Sequence, residues 1–276
     1  MFYKDIRKVI PEKNIICMSP HYDDLLFFIG GYVLELKKQG LLETKAFSNV
    51  HMASRSNYQE RDVQGNLDQS LKRVQYATGI RFIEDLECLD ALLGQNNYMF
   101  YAMGEEESQV RGKIFREDSD EMEMAFGSYE TMDDKDHAIL GRLTKKFKTF
   151  LVKEDTAVIL PLCIKGHIDH FLVREAGLHA IEELGGDRKA AVYFAEDKPY
   201  AGLMTQSESK INDEFIKEHS LRDIAFAHQP QTVLELAYEH YPSQIDKIFD
   251  TGIMQRNEYL KELYNTKEDC DRIYKL

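Results

Sequence analysis

The sequence predicts an α/β fold: a mainly parallel β-sheet flanked by helices in a single domain. Along the 276 residues, apolar stretches of strand length alternate with segments long enough to form helices. This alternation is typical of parallel sheets, because parallel strands need a long, usually helical, crossover between them. Hydrophobic residues make up 43% of the chain, which suffices for a large core. No internal repeat or linker interrupts the pattern, so we expect one domain over residues 1–276.

The chain opens with a strand, a polar turn and a helix. We predict a buried strand over residues 14–19, a helix over 25–38 and a second strand over 42–51. Residues 68–93 are predicted to be helical in two pieces. The break is expected near residues 78–79, because glycine weakens a helix interior.

Residues 94–136 show no clean periodicity and concentrate the negative charge. Residues 105–136 include twelve acidic and four basic residues, so this stretch carries −8 of the net charge of −13. We expect an acidic insertion at about residues 94–136, outside the core. A solvated face is the simpler interpretation, and a flap that shapes substrate access is the functional alternative.

The second half of the chain continues the alternation. The predicted elements are a helix over residues 135–153, a buried strand over 157–162, a helix ending near 184, a strand over 190–195 and a late strand over 232–238. Residues 243–276 are expected to form a mainly helical C-terminal segment.

Composition and charge exclude several classes of protein. With 35 basic and 48 acidic residues, the chain is poorly suited to a phosphate backbone, so nucleic acid is a disfavoured partner. No run approaches the roughly 18 apolar residues that a membrane-spanning helix needs, and we identify no secretory leader. The four cysteines lack CxxC spacing, which favours reduced, buried thiols in a cytoplasmic protein.

Two polar turns carry the residues suited to chemistry. His-Tyr-Asp-Asp at residues 21–24 follows the first strand, and His-Ile-Asp-His at residues 167–170 follows the strand over 157–162. In open α/β sheets, ligands bind beyond the carboxyl ends of the strands. Imidazole and carboxylate groups suit zinc, whose catalytic sites use about three protein ligands and leave one position for water.

The spacing within each turn suggests roles for its members. His21 and Asp24 are three residues apart at the start of a helix, so their side chains can bind one ion. Asp23 then points elsewhere and can accept a proton from the water that the metal activates. His167 and His170 have the same offset. One of them can bind the metal while the other, as a cation, stabilises the oxyanion or protonates the leaving amine.

A structural interpretation competes with this one. Aspartates near a helix start more often cap the helix than catalyse a reaction, and an isolated histidine is commonly structural. Two such turns, each after an apolar strand, are much less expected by chance, and we therefore favour a metal site. His51 and His228 are weaker candidates for lining the same cleft.

Both turns lie within longer motifs. The first is Ser19-Pro20-His21-Tyr22-Asp23-Asp24 followed by Gly30-Gly31, and the second is His167-Ile168-Asp169-His170. They resemble the two signatures of the PIG-L/LmbE-like zinc-dependent N-deacetylases, the GlcNAc-PI de-N-acetylase-like family. Residues 80–85, 193–200 and 241–245 resemble further segments of that family, whereas residues 94–136 match nothing in it.

This resemblance implies a Rossmann-like α/β sandwich and a role for each site residue. The implied zinc ligands are His21, Asp24 and His170. Asp23 would act as general base, with His167 as the electrophilic or acid partner. Asp169 would orient a histidine, and Arg81 would contact substrate.

Two positions depart from the family pattern. Leu25 replaces the usual glutamate after the aspartate pair, and Tyr22 replaces the commonest proline. The implied ligands are unaffected, but the residues that support them differ.

The residues and the resemblance together predict a zinc-dependent hydrolase. It would remove an N-acyl group, most simply acetyl, from an amino-sugar-containing small molecule or glycoconjugate. Another divalent metal could replace zinc. The rival hypotheses are a catalytically degenerate carbohydrate-binding relative and a regulatory α/β module that binds a divalent metal. The substrate class follows from the resemblance alone.

Overall fold

The computed structural model describes residues 2–59, 68–113 and 127–276. In these ranges, one sheet contains the strands β1 (Phe2–Tyr3), β2 (Asn14–Ser19), β3 (Ala46–His51), β4 (Tyr98–Ala102), β5 (Thr156–Pro161), β6 (Ala191–Ala195), β7 (Arg222–Ala227) and β8 (Cys270–Lys275). The helices around it are α1 (Asp24–Lys38), α2 (Leu71–Leu93), α3 (Asp134–Leu151), α4 (Ile168–Leu184), α5 (Gln206–Glu218), α6 (Pro230–His240) and α7 (Lys247–Leu263).

The sheet is mainly parallel, and the predicted α/β class is confirmed. Its order is β1-β7-β8-β6-β5-β2-β3-β4, and β8 runs antiparallel to both of its neighbours. Central β2 pairs in parallel with β3 on one side and with β5 on the other. Successive side chains of a strand point to opposite faces. Ile15 and Cys17 therefore join one buried cluster, and Ile16 and Met18 join the other.

Helices cover both faces of the sheet. Residues of α1, α2, α6 and α7 fill the core on one face, and residues of α3 and α4 fill it on the other. Gly31 lies where α1 passes close to two side chains: a Cβ there would lie 2.6 Å from His228 Cδ2 and 2.9 Å from Asp271 Oδ2. This glycine therefore serves close packing.

The predicted break in α2 is wrong, because the helix is continuous from Leu71 to Leu93. Thr78 Oγ1 accepts a hydrogen bond from the Ser56 amide at 2.9 Å and donates one to the Ser56 carbonyl at 3.2 Å. Buried Val74 and Ala77 precede this point on the face that packs inward. Tertiary packing thus outweighs the low helix propensity of glycine.

The predicted late strand is also wrong, because residues 232–238 lie in α6. Val233, Leu234 and Ala237 form a buried stripe at helical spacing. The C-terminal segment is helical only through α7, since its last residues form β8. Asp271 and Arg272 are buried within β8, so this strand shows no apolar pattern in the sequence.

The region 94–136 is not wholly separate from the core. Its residues 98–102 form β4, which pairs in parallel with β3. The acidic positions between 117 and 123 lie outside the described residues.

All four cysteines are buried and unpaired, as predicted. No helix in the described part of the chain combines the length and the apolar character needed to cross a membrane.

Candidate metal centre

The two predicted turns lie side by side at the carboxyl ends of two inner strands of the sheet. β2 and β5 are parallel neighbours, so the turns beyond their carboxyl ends meet in space. His21 stands in the turn after β2, and His170 lies in the first turn of α4, after β5. His170 Nε2 and His21 Nδ1 are 3.3 Å apart although 149 positions separate the two residues.

Asp24 completes a donor group of three residues, His21, Asp24 and His170. Asp24 Oδ2 lies 3.8 Å from His21 Nδ1, and Asp24 Oδ1 lies 3.6 Å from His170 Nε2. A tetrahedral zinc ion with bonds of about 2.1 Å holds its ligand atoms about 3.4 Å apart. The separations in the donor group are therefore compatible with one zinc ion.

A carboxylate stands behind each histidine of the donor group. Asp169 Oδ2 accepts a hydrogen bond from His21 Nε2 at 3.0 Å, and Asp197 Oδ1 accepts one from His170 Nδ1. Each ring uses one nitrogen to donate a hydrogen bond to its carboxylate. The other nitrogens, His21 Nδ1 and His170 Nε2, therefore face each other with their lone pairs. A proton or a metal ion between these two nitrogens relieves the repulsion of their lone pairs.

The surrounding charges favour a cation at this point. Burial alone would lower the pKa of His170, but the carboxylates of Asp24 and Asp197 outweigh burial and raise that pKa to about 9. Burial raises the pKa of Asp24 to about 6, against the opposing effects of His170 and His21. The metal-free site therefore holds a proton that a metal ion would displace, and the residues present suit a metal ion.

His167 has a different environment. Its Nδ1 accepts a hydrogen bond from the Asp169 amide at 3.1 Å at the N-cap of α4, so the neutral ring carries its proton on Nε2. Burial and neighbouring His21 hold the pKa of His167 well below its usual value. The hydrogen bond and the lowered pKa favour a neutral ring with Nε2–H as a donor over the expected cationic His167.

Asp23 stands at the N-cap of α1 without capping it, because its side chain makes no hydrogen bond to the first-turn amides. Asp24, by contrast, accepts a hydrogen bond from the His21 amide at 2.5 Å. Asp23 lines the cleft beside the donor group, and its Oδ1 lies 3.9 Å from Arg81 Nη2. The capping interpretation fails for Asp23.

Arg81 is buried at the wall of the same cleft and is held by several partners. Its Nε donates to Gln244 Oε1 at 2.7 Å. Its Nη1 donates to Ser56 Oγ at 2.7 Å and to Glu107. The guanidinium is thus held at the wall of the cleft, with its Nη2 facing Asp23.

The cleft has two unlike sides. Asp23, Arg81 and Glu107 belong to its ionic side, next to the donor group. Phe27 and Phe249 supply an apolar side, with ring centroids 5.0 Å apart. A ligand with both hydroxyl and apolar groups suits this combination.

Comparison with known proteins rests on structure. No protein-family model matches the sequence, and no curated protein matches it. Teicoplanin deacetylase Orf2, in a zinc-inhibited form, is similar with a TM-score of 0.65 at 17% identity, over 95% of this chain and 97% of its own. The N,N′-diacetylchitobiose deacetylase from Pyrococcus horikoshii has a TM-score of 0.51 at 16% identity, over 99% and 87%. The chain has the fold of these deacetylases.

The deacetylase fold also serves a different reaction. GalB, the 4-carboxy-2-hydroxymuconate hydratase from Pseudomonas putida KT2440, is similar with a TM-score of 0.50 at 14% identity, over 96% of each chain. One fold hosts several chemistries. The function of this chain must therefore be argued from its site.

Within this deacetylase fold, the two departures from the family pattern are core residues. Leu25 is buried among apolar side chains, and buried Tyr22 donates to a backbone carbonyl. The weaker histidine candidates do not line the cleft either. His51 Nε2 lies 3.1 Å from Asp85 Oδ2 in the core, and His228 lines a separate small cavity.

Sequence reasoning missed two contributions to the site. Asp197 follows β6, the neighbour of β5. The signal available in the sequence was the family-like segment 193–200, which contains Asp197 but gave it no role. The described residues 105–113 supply buried partners to Arg81 and Asp169. This part of the acidic segment is therefore more than a solvated face, and no motif in the sequence points to its contacts.

Proposed function

We propose that the protein is a zinc-dependent hydrolase that removes an N-acyl group, most simply acetyl, from an amino-sugar-containing small molecule. One observation carries the proposal: the donor group converges within 3.8 Å beside the uncapped carboxylate of Asp23. Metal-assisted amide hydrolysis needs a metal site and an adjacent base. The fold shared with two deacetylases supports the same class of reaction.

The donor group is the ligand set that fits zinc best. A second group, formed by His21, His167 and His170, has ligand atoms within 4.8 Å of one another. It fits less well, because His167 Nδ1 accepts from a backbone amide and its Nε2 keeps the proton. Two imidazoles and one carboxylate suit zinc or a similar transition metal, whereas magnesium prefers oxygen ligands.

When bound, zinc would polarise the acyl carbonyl and make a water molecule a better nucleophile. Asp23 accepts a proton as that water attacks the carbonyl carbon. The C–N bond then breaks, and the proton passes from Asp23 to the leaving amine nitrogen. His167 donates its Nε2–H to the oxygen that gains negative charge.

Other side chains hold this arrangement and receive the substrate. Asp169 and Asp197 orient the two histidines of the donor group. Arg81 offers a hydrogen bond to a sugar hydroxyl. The Pyrococcus horikoshii deacetylase takes N,N′-diacetylchitobiose, and we extend this class, N-acylated amino sugars and glycoconjugates, to the present chain.

The rival hypotheses have less support. A catalytically degenerate binder is suggested by Leu25, but that side chain lies in the core and not at the donor group. A regulatory module that binds a divalent metal through aspartates leaves the facing histidines of the donor group unexplained.

The proposal is tested by metal analysis together with release of acetate from N-acetylglucosamine, N,N′-diacetylchitobiose and an N-acetylated glycoconjugate. We expect bound zinc, loss of activity on chelation and recovery when Zn²⁺ is restored. Asp23→Asn should lower kcat by about 10²- to 10⁴-fold while zinc still binds. Asp213→Asn, at an exposed position of α5, is the control and should keep full activity.

Each other outcome has a definite meaning. Tightly bound zinc without hydrolysis of any substrate would favour the degenerate binder. Absence of zinc binding would remove both zinc hypotheses, and full turnover by Asp23→Asn would exclude Asp23 as the base.

A further inference from the structure

Arg111 is a buried cation with two buried carboxylates. Its Nη2 donates to Asp169 Oδ1 at 2.8 Å, and its Nε donates to Asp136 Oδ1 at 3.1 Å. All three side chains are at most 1% exposed. Arg111 also donates to the backbone carbonyl of Glu106, so the guanidinium joins the segment 105–113 to the starts of α3 and α4.

The contact with Asp169 leads directly to the donor group. While Oδ1 of Asp169 accepts from Arg111, its Oδ2 accepts from His21 Nε2 at 3.0 Å and from the Ser108 amide at 2.9 Å. A carboxylate is planar, so fixing Oδ1 also fixes the direction in which Oδ2 meets the His21 ring. The position of His21 Nδ1, on the opposite side of the ring, follows from that contact.

We infer that Arg111 is a positioning residue for the metal centre: acting through Asp169, it holds His21 so that Nδ1 faces Asp24 and His170. The inference rests on the proposed function, because it treats His21 as a metal ligand. It gives the described part of the acidic segment a role, since Arg111 and Ser108 both fix the same carboxylate. Partners of ligating histidines commonly tune metal affinity in this way.

A purely structural role is the alternative. Arg111 would then only anchor the segment 105–113, and its loss would lower stability without altering zinc binding beyond the stability effect. Zinc affinity, measured by competition with a chromogenic chelator on the metal-free full chain, distinguishes the two roles. Thermal unfolding of the same samples reports stability separately.

The test uses Arg111→Met and Arg111→Lys. We expect zinc affinity to fall by about tenfold or more in Arg111→Met. Arg111→Lys also weakens binding, because one ammonium group cannot hold both carboxylates as the guanidinium fork does. Arg111→Met leaves two buried carboxylates unpaired, which can prevent folding. In that case the zinc affinity of Arg111→Lys alone decides between the two roles.

Two controls match these variants. Arg142→Met removes an exposed arginine that pairs with Glu105 at 2.6 Å. Asp136→Asn removes the charge of the second partner of Arg111, whereas Asp169 is the carboxylate that is bonded to His21. Both should keep zinc affinity within about twofold, although Asp136→Asn lowers the melting temperature.

Wild-type zinc affinity in either folded Arg111 variant overturns the inference. So does an equal loss of affinity in Asp136→Asn and Arg111→Met, because the effect would then be general loosening. A wild-type protein that binds no zinc would instead contradict the proposed function, so the two failures are distinguishable.

Discussion

Two buried ionic clusters lie beyond the carboxyl ends of inner strands of the sheet. They differ in how completely their charges are paired. One is the donor group, in which the carboxylate of Asp24 and the two imidazoles make no charge-pairing contact with an arginine or a lysine among the described residues. The other surrounds Glu196, which directly follows β6. Arg256 Nε donates to Glu196 Oε2 at 2.8 Å, and Arg272 Nε donates to Oε1 at 2.8 Å, so both oxygens are satisfied.

The pKa values follow the pairing. Burial would raise the pKa of Glu196, but Arg256 and Arg272 outweigh burial and hold it well below its usual range. At Asp24, in the donor group, burial outweighs the neighbouring histidines and raises the pKa to about 6. A fully paired cluster supports the fold, whereas an incompletely paired one costs stability and is suited to take a ligand.

The largest effect on stability is expected for Glu196→Gln. This change leaves two buried guanidinium groups facing a neutral amide, and it should lower the free energy of unfolding by about 3–5 kcal/mol. Urea unfolding of the metal-free protein measures the loss. Because folding lowers the pKa of Glu196, the wild-type advantage is complete above about pH 4.3 and shrinks as the pH falls below that value.

The exposed residue Glu239 offers a matched control for this experiment. Glu239→Gln should change the free energy of unfolding by less than about 0.5 kcal/mol. If Glu196→Gln cost no more than this control, the contrast between the two clusters would be lost.

An effect of the opposite sign is expected for Asp24→Asn. The folded protein raises the pKa of Asp24, so stability is lost as the pH rises from about 4 to about 6, and the loss stays constant above that range. Above pH 6 the metal-free variant should be more stable than the wild type by about 1–3 kcal/mol, and below about pH 4 the two should be equal.

With zinc bound, the wild type should be more stable than Asp24→Asn. The wild type gains stability by binding the ion, while Asp24→Asn should lose more affinity than the about 10- to 100-fold typical of residues that only support ligands. Unfolding curves with and without Zn²⁺ at two pH values measure both effects. Lower stability of metal-free Asp24→Asn at high pH would contradict the view that the donor group is strained by burial.

The smallest effect separates a capping aspartate from a functional one. Asp133 caps α3 by accepting from the Lys135 and Asp136 amides at 2.9 and 3.0 Å. Asp133→Ala should cost about 1 kcal/mol. Asp23 occupies the same position on α1 and makes no such bond, so Asp23→Ala should cost less than half as much.

The pH dependence provides a second check. The Lys113 ammonium lowers the pKa of Asp133 to about 2. The contribution of Asp133 should therefore be complete above about pH 4 and disappear as the pH approaches 2. Equal stability losses in Asp23→Ala and Asp133→Ala, by chemical unfolding at neutral pH, would restore the capping interpretation of Asp23.

Local patterns in the sequence predicted the elements that follow local rules. β2 was predicted with its observed bounds, because an apolar run ends at a polar turn and a helix follows. β8 was not predicted, because its buried Asp271 and Arg272 are paired with residues far along the chain. α6 was taken for a strand, since a short apolar stretch does not distinguish the two structures.

The residues of the candidate site also fall into those that local patterns in the sequence predicted and those that depend on contacts between distant parts of the chain. The sequence indicated both turns because their histidines and aspartates are three residues or fewer apart. It gave no role to Asp197, although that residue lies in the family-like segment 193–200, and none to Arg111. The contacts of Asp197 depend on strand order, and those of Arg111 depend on a segment without a motif. The protonation of His167 also depends on tertiary structure, since burial beside His21 sets its pKa.

By itself, the sequence determined which groups are available for chemistry and how each turn presents them, because residues three apart at a helix start share one face. Only the tertiary structure decided that the two turns meet. His21 and His170 are 149 positions apart and come together because β2 and β5 pair in parallel. The carboxylates behind the histidines are set by the same non-local pairing, since strand order, unlike helical periodicity, depends on the whole chain.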